Sequence, residues 1–300
     1  IMFPLQAACA SAAPLVAGRL QEWHEVGSDP ALLPSQIFLP VASARKLHPV
    51  LVFLHGGGDG PFNVMNRQSL PSLLLNNQTF ASQFPFVVIT PCSTCSVART
   101  TTGDGRHATS SRGWTPQNFE RVDRLISKVL NEHAGDPTRV SLTGQSMGGG
   151  GLWRYAQARR SLFAALVPVC AAVAPPQGRV DVCCAEAGSK APPANCCPPV
   201  WIFHGANDRT VPVKYSDDWA EKLRRQHPQQ EVRYTRYEWA PAPPMPEFAR
   251  LVGHASYELA YREAALYEWL LGQRCAACAA ASGAAVAVAH SEGGGRSGGG

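Results

Sequence analysis

Residues 141–151 read Ser-Leu-Thr-Gly-Gln-Ser-Met-Gly-Gly-Gly-Gly, a short β-prone run that closes on Gly-x-Ser-x-Gly with Ser146 at its centre. This is the spacing of a nucleophile elbow. A serine on a sharp strand-to-helix turn adopts a strained backbone conformation, and glycines at 144 and 148 let the flanking segments pass close to one another. The turn lifts the hydroxyl out of the sheet and points it at the start of the next helix, whose free N–H groups can stabilise a developing oxyanion. Taken alone, a five-residue pattern of common residues also fits a harmless loop, so its weight comes from what accompanies it.

Three further segments supply the partners that acyl-transfer chemistry requires. Val50–Leu54 is an apolar run leading into His55-Gly56-Gly57-Gly58-Asp59-Gly60, a glycine-rich loop of the kind that donates a second oxyanion-hole N–H. Val200–His204 is another apolar run, and Asp208 lies just beyond its end. Gly253-His254 precedes a helical stretch near the end of the patterned region. The candidate set is therefore Ser146 as nucleophile, His254 as base, Asp208 as the carboxylate that orients it, and the Gly57 and Met147 N–H groups as oxyanion donors. Asp217, Asp218, His227 and His290 are rivals. The two aspartates fall on a predicted helix facing water, His227 stands at a helix end, and His290 lies in the C-terminal tail. His55 and His204 precede loop glycines and are expected to support those loops by hydrogen bonding. Trp114 either lines the acyl pocket as a substrate contact or fills the core.

From about Gln36 to Leu271 the chain resembles the phospholipase/carboxylesterase branch of the α/β-hydrolases, near the predicted peptidases, feruloyl esterases and polyhydroxybutyrate depolymerases. The resemblance is carried by Leu51-Val-Phe-Leu-His-Gly-Gly-Gly, Val140-Ser-Leu-Thr-Gly-Gln-Ser-Met-Gly-Gly, Phe203-His-Gly-Ala-Asn-Asp and the Leu266-Tyr-Glu-Trp-Leu-Leu helix. It implies an α/β-hydrolase fold, a Ser, Asp, His order along the chain, no cofactor and no metal. It further implies hydrolysis of a small-molecule carboxylic ester through an acyl-enzyme. A serine peptidase or acyltransferase with the same triad is the alternative, and a non-catalytic binding protein on the same fold a third. Two departures bear on substrate choice: the Ala240-Pro-Ala-Pro-Pro-Met-Pro run before His254, and a cysteine-rich insertion at 170–199.

These residues need a scaffold, and the hydrophobic pattern supplies one. Apolar runs at 50–54, 86–90, 140–143, 163–169 and 200–204 lack polar alternation, as strands buried on both faces do. They predict a mostly parallel central sheet with helices on both faces. Phe119, Val122, Leu125, Ile126, Val129 and Leu130 recur at helical spacing and predict a crossover helix leading into the elbow strand. Residues 231–238 alternate as an edge strand, and 256–271 read as one closing helix. A single domain over 35–274 accounts for these elements, with 1–34 as an N-terminal segment and 275–300 as a disordered Ala/Gly-rich tail.

Composition narrows the classes further. The 27 basic and 22 acidic residues are spread along the chain without a basic block, which argues against a nucleic-acid partner. No stretch reaches the roughly 18 apolar residues of a membrane span. Residues 7–17 fit either the end of a targeting segment or a trimmed start. Ten cysteines favour disulfides stapling the insertion, with free thiols as the alternative and metal binding behind both because the spacing does not match an ordinary zinc site; bridged pairs would favour a secreted or other oxidising compartment over the cytoplasm.

Overall fold

The five apolar runs are strands of one sheet in the computed structural model, which describes residues 14–27, 29–41, 46–57, 66–95, 113–183, 197–275 and 278. The sheet contains β1 (Leu20–Glu22), β2 (Ser35–Phe38), β3 (His48–Leu54), β4 (Val87–Pro91), β5 (Gly135–Gln145), β6 (Ala165–Val169), β7 (Val200–Gly205) and β8 (Val232–Tyr237), in the order β1-β2-β4-β3-β5-β6-β7-β8. From β4 through β8 every pairing is parallel, while β1 and β2 join antiparallel at one edge.

Side chains alternate between two cores. Val50, Val52 and Leu54 face one cluster, and Leu51 and Phe53 face the other. The first cluster is covered by α1 (His24–Gly27), α4 (Pro116–Glu132), α5 (Met147–Ala158) and α6 (Lys214–Gln226). The second is covered by α2 (Ser69–Asn76), α3 (Gln78–Gln83), α7 (Ser256–Ala260) and α8 (Ala264–Gly272). Helix α4 begins where Thr115 accepts from the Asn118 N–H at 3.3 Å with Pro116 in its first turn, and it packs Phe119 on Tyr155 of α5 with centroids 4.6 Å apart. Trp153 of α5 stacks on Trp219 of α6 at 4.0 Å, so the helix behind the elbow is held on both sides.

Three expectations change. The segment before residue 35 is part of the domain: Leu20–Glu22 pairs as β1, and Trp23, Val26 and Leu33 are buried in the first core. The closing helix is two helices, because Glu263 turns extended, pairs with the Tyr237 hydroxyl, and leaves the Tyr261 carbonyl to accept from Tyr267 at 2.7 Å. The tail is anchored at its start. Cys275 N–H donates to Thr138 O at 2.8 Å, Cys278 is buried, and the two are bridged. The described parts of the insertion, whose packing the sequence left open, are tied to α6: the Trp219 indole donates to Val173 O, Lys222 to the Pro176 and Gln177 carbonyls, and Gln226 accepts from the Val180 N–H.

The cysteine pairs 92–95, 183–197 and 275–278 stand at bonding distance, and Cys170 is free and buried. Cys184, Cys196, His290 and residues 279–300 lie outside the described residues. Ending the chain after Cys278 removes no contact described above and is expected to leave the thermal midpoint within about 2 °C. Ending it after Arg274 removes the Cys275–Thr138 anchor and the bridge, and should lower the midpoint by several degrees. Thermal melts of the two truncations check this. If both behave alike, the anchor is without energetic weight.

Candidate active site

The turn after β5 has the conformation its glycines foretold. Ser146 sits at φ 53°, ψ −117°, between the end of β5 and the start of α5. A Cβ at position 148 would lie 2.0 Å from the Leu54 carbonyl oxygen, and one at position 144 would lie 2.6 Å from the Gly148 oxygen. No side chain fits at either place. The strained serine is over-determined by its neighbours: its N–H donates to Val169 O at 2.9 Å, and its carbonyl accepts from Gly150 and Ala172 at 3.0 and 2.9 Å.

A relay of hydrogen bonds runs from this serine into the protein. Ser146 Oγ is 2.9 Å from His254 Nε2, and His254 Nδ1 is 2.8 Å from Asp208 Oδ2. The carboxylate accepts only, so His254 carries its proton on Nδ1 and offers Nε2 to the serine hydroxyl. Asp208 sits three residues beyond β7, and its other oxygen accepts from the Thr210 and Val211 N–H groups at 2.8 and 3.0 Å. His204, wholly buried, adds a fourth donor: its Nε2 approaches Asp208 Oδ2 at 3.2 Å and Val211 O at 3.1 Å, while Nδ1 meets Ser216 Oγ at 2.7 Å. Burial pushes the Asp208 carboxyl up, but the hydrogen bonds from His204 and His254 outweigh it and hold the group well below the usual carboxylate range. A depressed carboxyl contributes stability that is present above its unfolded value near 4 and fades as pH falls below it, so acid unfolding should be steeper in the parent than in a variant lacking this charge.

The His254 loop is held from the Pro-rich run, since Pro241 O accepts from the Gly253 and Ala255 N–H groups at 3.1 and 3.0 Å. Gly57 and Met147, the expected oxyanion donors, are neighbours, a Cβ at position 57 lying 3.7 Å from that of Met147. Gly58–Gly60 lie outside the described residues. The loop bearing Gly57 is fixed from behind. His55 Nδ1 donates to Gly56 O at 2.8 Å, and its Nε2 accepts from the Ser93 N–H at 3.0 Å. Burial lowers the His55 pKa to about 4 against a smaller opposing effect of the Gly56 carbonyl, so the ring is neutral near pH 7.

Trp114 is not a wall of the cleft around Ser146. Its indole lies in the first core, 5.1 Å from the His55 ring, and donates to His55 O at 3.1 Å. It braces the Gly57 loop from behind, the core placement being one of the two that its sequence allowed. The cleft has a volume of about 260 Å³. Pro243, Phe248 and Leu251 form an apolar wall, and Gln68, Gln145 and Tyr257 a polar one. The polar wall is braced: Tyr257 donates to Gln68 Oε1 at 3.0 Å, the Ser69 hydroxyl bonds Gln145, and the Ser69 N–H donates to Glu258 at 2.7 Å. Of these wall residues only Pro243, in the Pro-rich run, and Gln145, inside the elbow motif, fall in segments that the sequence marks out for the site.

Among the described residues, two groups of side chains offer donor atoms within 4.8 Å of one another: Cys170, Asp208 and His254, and Cys183, Cys197 and His227. In the first, burial and the Asp208 charge keep the Cys170 thiol protonated, and the other two side chains are committed to each other. His227, a rival for the base, stands with the insertion and not with Ser146. Asp217 accepts from Tyr234 and Arg236 on the surface.

No family model and no curated protein sequence matches the chain. Solved structures do. The chain is 27% identical to a thermostable esterase over 85% of its own length and 62% of that chain, with a TM-score of 0.56. It is 16% identical to the fluorophosphonate-binding serine hydrolase F of Staphylococcus aureus, covering 84% of this chain and 97% of that one at a TM-score of 0.53. A Mycobacterium tuberculosis puromycin-hydrolyzing peptidase is 20% identical over 86% of this chain and 40% of its own, at 0.53. The chain thus spans under two thirds of the esterase it matches. Strand order, parallel sheet and two helical layers are those of the α/β-hydrolase superfamily, and this chain is an α/β-hydrolase-fold protein.

Proposed function

We propose that this protein is a serine hydrolase that cleaves small carboxylic esters through an acyl-enzyme. The observation that carries the reading is the continuous relay Ser146 Oγ, His254, Asp208 at 2.9 and 2.8 Å, built on a serine held at positive φ. In this reading His254 Nε2 takes the Ser146 proton as Oγ attacks the ester carbonyl, and Asp208 stabilises the imidazolium that forms. The Gly57 and Met147 N–H groups hold the tetrahedral oxyanion, each such donor being worth about 3 kcal/mol. His254 then protonates the leaving alcohol. In the second half-reaction it takes a proton from water, whose oxygen attacks the acyl carbon and releases Ser146.

The esterase likeness supports an ester as substrate, and the cleft of about 260 Å³ suits a small acyl group against Phe248 and Leu251. A fluorophosphonate probe followed by peptide mapping should place the label on Ser146. Hydrolysis of p-nitrophenyl esters of graded chain length, beside a feruloyl ester and a peptide amide, then reports the preference. Amide cleavage outpacing every ester would move the reading to a peptidase, and absence of label on Ser146 would remove the nucleophile altogether.

A further inference from the structure

His227 stands apart from Ser146, against the bridge of the cysteine-rich insertion. It caps the C-terminus of α6, its N–H donating to Leu223 O at 2.8 Å, and only 5% of the residue is exposed. Its Nε2 lies 2.7 Å from the Val180 carbonyl, which can only accept, so the neutral ring carries its proton on Nε2 and a lone pair on Nδ1. That lone pair points at Cys183 Sγ, 3.5 Å away. A bridged sulfur has no hydrogen to donate, so among the described residues this buried acceptor lacks a donor, an arrangement that costs free energy unless something else uses it.

We propose that Cys183, Cys197 and His227 form a Zn²⁺ site of the Cys₂His type whenever the Cys183–Cys197 bridge is opened. With Zn–S near 2.3 Å and Zn–N near 2.0–2.1 Å, tetrahedral geometry separates an S and an N ligand by about 3.6 Å and two S ligands by about 3.8 Å. The measured Cys183–His227 separation of 3.5 Å already meets the first requirement, and all three donor atoms lie within 4.8 Å of one another. Once the sulfur–sulfur bond is gone, side-chain rotation of the two cysteines supplies the second. The ring is aimed as metal-ligating imidazoles are, with the nitrogen opposite the ligand tied to a carbonyl. That carbonyl is itself fixed, because the Val180 N–H donates to Gln226 Oε1 at 2.8 Å and Lys222 holds the Pro176 and Gln177 carbonyls.

The chemistry balances with one co-reactant, a thiol reductant. Two thiols transfer two electrons and two protons to the bridge, leaving Cys183 and Cys197 as thiols and the reductant as its disulfide. Binding Zn²⁺ then forms two Zn–S bonds with release of two protons, and one Zn–N bond from the Nδ1 lone pair without proton release. A water completes the four ligands. The bridge joins the two ends of the insertion to each other when oxidised, and the metal joins them to His227 at the end of α6 when reduced.

The test uses the whole protein, opened by a phosphine reductant that is then removed, and reads alkylation of each cysteine by peptide mapping with and without one equivalent of Zn²⁺. Zn²⁺ should slow modification of Cys183 and Cys197 at least about tenfold, a chelator should restore it, and His227→Ala should abolish the protection. Equal protection in His227→Ala, no protection in the parent, or protection centred on Cys184 and Cys196 instead would each overturn the assignment. Should His227→Ala fail to fold, cobalt(II) in the parent decides. The Nε2 proton of a ligated His227 is buried on Val180 O and exchanges slowly, so its NMR signal should move far outside the diamagnetic range, and a spectrum without such a signal rejects the site.

Discussion

Ser146→Ala is expected to lower ester hydrolysis by roughly five to six orders of magnitude, and His254→Ala by nearly as much. The double variant should be little worse than either alone. Hydroxyl and imidazole act as one unit through their 2.9 Å contact, so once one is missing the other has nothing left to contribute. Steady-state kcat/KM for the four proteins on one p-nitrophenyl ester tests this, with melting curves to show that each variant folds. Losses that multiply in the double variant would mean the two residues act separately. Wild-type activity in Ser146→Ala would end the serine-hydrolase reading while leaving the fold intact.

The sheet was legible because parallel strands buried on both faces read as near-continuous apolar runs, and 50–54, 163–169 and 200–203 are such runs. β1 and β2 were not, for the opposite reason. Each is only three or four residues long, and Ser35 and Gln36 are polar yet buried, so no run rises above the background. The break between α7 and α8 escaped a pattern argument because helical spacing continues across it. What ends α7 is the contact of Glu263 with Tyr237, a residue 26 positions earlier.

The same distinction divides the site. Ser146, Asp208 and His254 announce themselves through local chemistry: glycines that admit a tight turn, a carboxylate just past a strand, a histidine before a helix. The polar wall has no local signature. Gln68 and Tyr257 are 189 residues apart, and Ser69 and Gln145 are 76 apart, so only the folded sheet brings them together. Trp114 shows the limit from the other side, since a tryptophan beside a glycine-rich loop reads alike whether it faces substrate or supports the loop from the core. His204 was legible as a supporting residue, but not that it shares Asp208 Oδ2 with His254.

That sharing makes Asp208→Asn the second severe variant, with an expected loss of about 10⁴ in kcat. All four groups facing the carboxylate are donors: His204 and His254 on one oxygen, Thr210 and Val211 N–H on the other. An asparagine amide must turn its NH₂ to one side. If it faces Thr210 and Val211, two backbone donors lose their acceptor, at about 1–3 kcal/mol each. If it faces the imidazoles, His254 must shift its proton to Nε2 and so present a hydrogen to Ser146 in place of a base. His204 cannot make the matching shift, because the Val211 carbonyl also requires the proton on its Nε2. The first orientation leaves backbone donors unpaired and a neutral oxygen where the imidazolium needs a charge, and the second breaks the relay, so Asp208→Asn should lose both rate and thermal stability. Asp217→Asn, at a surface carboxylate bonded to Tyr234 and Arg236, should keep the rate within about a factor of two. Parallel kinetics on the two variants decide the matter, and comparable rates would show that Asp208 is not the group that orients His254.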